Sequence, residues 1–143
     1  MYKKITRVFL ISLTILFVGV IAAGCAGLSE EEKKVVGEYE VTELRVAEYP
    51  AITANSYEYF TIEFKSNRKC IVKSKAGVTV YEQTARWKIN KDGKIEVVTT
   101  KGAATATELY TLNNNQISGT NSGLVDGITI TMTVTFTRVA DAE

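Results

Sequence analysis

The chain is predicted to be all-β: an antiparallel up-and-down meander of about eight strands closed into a barrel. Three observations carry this. From Val35 onward apolar side chains recur with a period of two rather than 3.6. Glycine, asparagine, aspartate and serine clusters interrupt that alternation at short intervals, as hairpin connections require. A meander of this many strands resolves its unpaired edges most simply by closing on itself, with two stacked sheets as the other solution.

The first segment precedes the β pattern. Lys3, Lys4 and Arg7 stand before a run from Val8 to Ala23 that holds no charge and ends in Ile21-Ala22-Ala23-Gly24-Cys25. Cations hold such a segment at the cytoplasmic face, the apolar run partitions into the bilayer, and small residues give a peptidase access to the backbone. The run falls short of the ~20 residues of a spanning helix and has no stop-transfer flank. It resembles the lipobox of bacterial lipoproteins, with Ala23, Gly24 and Cys25 in their usual places and Ala22 where leucine is more typical. The resemblance implies cleavage before Cys25 and diacylation of its thiol. Two acyl chains suffice for stable anchoring, since each buried methylene contributes about 0.8 kcal/mol and one chain binds only reversibly.

Residues 1–24 are thus expected to be a signal peptide, 25–34 a lipidated tether, and 35–143 a single β domain. Without Lys3, Lys4 and Arg7, the 17 basic residues become 14 against 16 acidic ones. That balance argues against nucleic acid as a partner. With Cys25 acylated, Cys70 stands alone and no intramolecular disulfide forms, so a packed core must hold the domain. In the tether, Ser29 followed three residues later by Glu32 has the form of a capping box, which predicts a short helical turn. Its acidic run reads either as a sorting signal or as a solvated spacer.

The strands are expected near 36–46, 57–65, 69–75, 78–90, 94–100, 106–112, 116–121 and 128–138. The clearest is the last, where Ile128, Ile130, Met132, Val134 and Phe136 alternate with threonines. Phe60-Thr61-Ile62-Glu63-Phe64 and Ala85-Arg86-Trp87-Lys88-Ile89 alternate likewise, with one face for a core and one for water. Turns are predicted at Ser66-Asn67-Arg68, Ala76-Gly77, Asn90-Lys91-Asp92-Gly93, Asn113-Asn114-Asn115 and Asp126-Gly127. The longest connection, Ala47 to Ser56, contains the only proline, Pro50, and is placed across one barrel mouth.

Gly37-Glu38-Tyr39 opening the first strand, Tyr59 to Phe64 running into a polar turn, and Ala85 to Ile95 as a tryptophan strand with a tight hairpin form a connected pattern. With the closing strand, it resembles the small lipocalin-like domains of bacterial secreted lipoproteins. The longer-known lipocalins that these domains resemble carry tryptophan where Tyr39 stands. The resemblance implies a barrel that binds a small apolar or amphipathic molecule.

Catalytic chemistry is not expected. The chain has no histidine, which removes the commonest general base and metal ligand. Asp92 and Asp126 fall in turns, Asp141 lies near the end, and alternation puts Glu38, Glu40, Glu63 and Glu96 on wet faces. No catalytic residue, metal site or cofactor is therefore assigned. Cys70 shares phase with Val72 and reads as a small buried hydrophobe. The aromatic residues can be ordinary core or pocket lining, because an eight-stranded barrel is just wide enough to be filled or to hold one small ligand. Candidate ligand-binding residues are Tyr39, Tyr59, Tyr81, Trp87 and Tyr110, and Cys25 is the lipidation site. Two function classes follow, both at the bacterial cell envelope with the membrane contacted through the N-terminal lipid. One is a non-enzymatic ligand-binding module. The other is an interaction or inhibitor module that uses the barrel as scaffold for an envelope protein.

Overall fold

The structure, a computed structural model, describes residues 27–140. The expected signal peptide and Cys25 lie outside the described residues. A one-and-a-half-turn helix, α1 (Glu30–Val35), precedes β1 (Gly37–Val46). After a 3₁₀ turn (Ala54–Ser56) come β2 (Tyr59–Phe64), β3 (Lys69–Ala76), β4 (Thr79–Ile89), β5 (Ile95–Lys101), β6 (Ala104–Asn113), β7 (Gln116–Val125) and β8 (Ile128–Ala140). Each strand pairs antiparallel with the next, and β8 returns to β1, giving a closed up-and-down barrel.

All five predicted turns form. Asp126 (φ 49°) and Gly127 (φ 80°) make the two-residue connection between Val125 and Ile128, the positive-φ pair that suits strand twist. Thr42 is a bulge, since the β1–β8 register slips between Val41 and Glu43, and beyond it Leu44 and Val46 take the inward phase. This leaves Glu43 exposed on the outside.

The capping box also forms: the Glu32 amide donates to Ser29 Oγ and the Ser29 amide to Glu32 Oε1, both at 3.2 Å. Burial alone would oppose ionisation of the Glu32 carboxyl. The Arg68 guanidinium, which grips it in a two-pronged ion pair, and the Ser29 donors outweigh that and hold it below the usual carboxylate range. The helix is thereby fixed over one end of the barrel, with Val35 in the core. Arg138, near the end of β8, completes the seal. Its Nη1 donates to the Val36 carbonyl (2.7 Å) and its Nη2 to the Lys34 carbonyl and to Tyr39 Oη (2.6 Å), while the guanidinium lies 4.8 Å from the Tyr39 ring centroid.

The other end is open, for a reason visible in the pairing. Three ribbons keep long ladders: β2–β3–β4, β5–β6 and β7–β8–β1. The seams between them are short. β1 meets β2 only from Gly37 to Glu40, β4 meets β5 only from Arg86 to Ile89, and β6 meets β7 only from Thr111 to Asn113. All three seams lie at the helix-capped end, so the ribbons splay towards the mouth. The β5–β6 tip explains part of this: from Thr99 to Thr107 it contains only Thr, Lys, Gly and Ala. With no large apolar side chain to bury, nothing draws it inward.

Local devices bridge two of the seams. Beside β1, the 47–58 connection packs Ile52, Ala54 and Tyr57 on the core. Between β6 and β7, the Asn121 side chain takes over where the ladder stops, accepting from the Leu109 amide at 2.9 Å and donating to its carbonyl at 3.3 Å. Gly119 is required by the same approach, because a Cβ there would collide with the Leu109 carbonyl and lie 2.9 Å from Tyr110 Cδ1. Among the described residues, which begin at Gly27, the strand pairings close the barrel and the capping helix adds Val35 to its core cluster.

Candidate ligand-binding site at the barrel mouth

Burial along the inner face falls steadily from the capped end to the mouth. On β8, Phe136 and Val134 are buried, Met132 and Ile130 half-buried, and Ile128 is 52% exposed; on β4, the series runs from Trp87 and Ala85 through Gln83 to Tyr81, which is 48% exposed. The lower half is therefore solid. Phe64 stands edge-on to both Tyr39 (5.9 Å) and Trp87 (5.7 Å), and these rings close it.

Above this floor lies a cavity of about 330 Å³, at the low end of the ~300–1,000 Å³ range of small-molecule sites. One wall is aromatic. Tyr57 and Phe60 have centroids 5.1 Å apart, Phe60 meets Phe136 edge-on at 5.2 Å, and Phe136 meets Tyr110 at 6.5 Å. Ser74, Gln83 and Thr99 bring polar atoms to the cavity, with Tyr81 beside them. Ile62, Val72, Val97 and Met132 complete its surface. Gln83 and Thr99 stand on β4 and β5 beyond the last pair of that seam, Arg86 with Val98.

Glu108 is the one acidic side chain of this cavity. It stands opposite Val97 in the β5–β6 register, and Tyr110 donates its hydroxyl to Glu108 Oε2. Burial first, and then the Glu108 carboxylate, push the Tyr110 phenol well above its ordinary range. Burial likewise raises the Cys70 thiol, with Glu108 and Glu63 adding to it. Cys70 is fully buried and holds a neutral thiol, as its sequence phase implied.

Of the sequence candidates, Tyr81 and Tyr110 line this cavity. Tyr39 and Trp87 belong to the solid half: Tyr39 Oη donates to the Val35 carbonyl at 2.8 Å, and Trp87 Nε1 to the Lys65 carbonyl at 3.0 Å. Tyr59 is half-buried and out of phase with Phe60, so it does not line the cavity. Sequence reasoning passed over Glu108, Gln83, Ser74 and Tyr57. Glu108 carried a usable signal, being two residues from Tyr110 on the same strand and hence on the same face. Tyr57 carried none, because it enters from an irregular connection.

Around the mouth the hairpin tips are apolar: Val78 and Val80 on β3–β4, and Leu124, Val125 and Ile128 on β7–β8, are all more than half exposed. Comparison of the chain with protein-family models, with curated proteins and with solved structures finds no match.

Proposed function

We propose that this protein is a non-enzymatic, lipid-anchored envelope protein of a bacterium whose lipocalin-like barrel holds a small apolar or amphipathic molecule in its mouth. The observation that carries the reading is the division of the barrel interior into a solid lower half and an aromatic-walled cavity open at the other end. The described chain begins at Gly27, next to α1 and hence at the capped end. A lipid on Cys25, two residues upstream, would tie that end to the membrane within about 7 Å of chain. The mouth would then face away from the bilayer, towards molecules in the aqueous compartment. The cavity offers one carboxylate with no histidine in the chain and a neutral buried thiol nearby, which suits retention better than bond-making.

Titrating an environment-sensitive apolar fluorophore into the chain from Gly27 should give saturable one-to-one binding. Gln83→Trp, which narrows the cavity beside the β4–β5 seam, should weaken it at least about tenfold. Absence of saturable binding to the folded protein, or equal binding by the variant, would contradict the cavity as the site.

The second reading, an interaction module, is favoured by the exposed apolar tips Val78, Val80, Leu124, Val125 and Ile128. It becomes the leading one if the interior takes no ligand.

A further inference from the structure

We propose that the barrel mouth selects a small organic cation, an amine or quaternary ammonium group carried on an apolar body. This rests on the mouth being a ligand site and adds the charge of what enters it.

The basis is an imbalance inside the cavity. Glu108 lines it, whereas no lysine or arginine does. Among the described residues Glu108 takes part in no ion pair; its hydrogen-bond partner is the Tyr110 hydroxyl. Elsewhere Glu63 pairs with Lys65, Glu96 with Lys88 and Glu58 with Lys75. A carboxylate drawn into a partly apolar enclosure loses hydration that a single neutral hydroxyl replaces only in part. A cationic ligand would supply the missing charge. An anionic amphiphile such as a fatty acid would meet repulsion instead.

The aromatic wall points the same way. Tyr57, Phe60, Phe136 and Tyr110 form a connected series of rings beside Glu108, and Tyr81 adds a fifth near the rim. Ring faces attract cations, most strongly where water is excluded, and accept the methyl groups of an ammonium without needing a hydrogen bond. Tyr110 and Cys70 stay neutral at ordinary pH because burial and the Glu108 charge oppose their ionisation. Glu108 is therefore the charge that a ligand in this cavity meets.

The test is calorimetric titration of the chain from Gly27 with three probes of similar shape: benzyltrimethylammonium, its neutral carbon isostere neopentylbenzene, and the anion phenylacetate. The expected order is the cation at least about tenfold tighter than the isostere, with phenylacetate weakest. In Glu108→Gln the ratio of cation to isostere affinity should fall to about one. The wild-type comparison needs no variant, so the result stands even if Glu108→Gln proves unstable. Equal binding of cation and isostere would overturn the charge selection and leave the cavity reading intact. A cation preference that survives in folded Glu108→Gln would also overturn it. No binding by any probe would remove the cavity reading and this inference together. Phosphatidylcholine vesicles added to the cation-loaded protein separate two sources of the same chemistry: displacement assigns the cation to a lipid headgroup, and retention assigns it to a free small molecule.

Discussion

Trp87→Ala is expected to lower stability by about 3–5 kcal/mol, a large share of the ~5–15 kcal/mol of a typical domain. The indole is 2% exposed at the capped end of the barrel. Its edge-to-face partner is Phe64, and its Nε1–H satisfies the Lys65 carbonyl at the β2–β3 turn. Truncation would remove a large apolar surface, leave a void beside Phe64, and take from that carbonyl one of its two donors, the other being the Arg68 amide at 3.1 Å. Chemical denaturation followed by far-ultraviolet circular dichroism measures the change. A cost below about 1 kcal/mol would mean that the lower half is not packed as a solid core.

Cys25→Ala is expected to abolish fatty-acid labelling and release the protein from membranes. The substitution removes the thiol to which the lipobox resemblance assigns the acyl chains. Cys70, the second of the two cysteines, offers no substitute, because it is buried on β3 and its thiol is held neutral. Metabolic labelling with a palmitate analogue, with membrane fractionation alongside, reads both effects. Labelling that persists in Cys25→Ala would place the anchor elsewhere and dissolve the orientation of mouth and membrane argued above.

The fold was largely legible because its signals are local and repeat. Alternation located strands such as the Ile128 to Phe136 series, and turn residues located five of the six tight hairpins, the Gly102-Ala103 turn between β5 and β6 going unnamed. β7 was read four residues short, ending at Asn121 instead of Val125. Gly119 and Gly123 depress strand propensity there, and what extends the strand is its ten-residue ladder with β8, a tertiary effect. The site was half legible. Tyr81 and Tyr110 could be named from type and phase, but phase cannot tell height along a barrel. Tyr39 and Trp87 have the inward phase and yet sit in the solid half. Met132 has the same phase and both packs against the core and lines the cavity. Height depends on the splaying of the three ribbons, which follows from where pairing stops rather than from any one residue.

Two single-copy side chains allow the division of the barrel to be tested at both levels. Met132 is the only methionine after Met1, and Trp87 the only tryptophan. The first lines the cavity and the second is locked into the capped half. Nuclear magnetic resonance of the chain from Gly27, carrying ¹³C-methyl methionine and ¹⁵N-indole tryptophan, follows each during titration with benzyltrimethylammonium or the apolar fluorophore. The Met132 methyl signal should move saturably while the Trp87 indole signal stays in place. Movement of Trp87 with Met132 unaffected, or saturable binding that shifts neither, would contradict a ligand site in the barrel mouth.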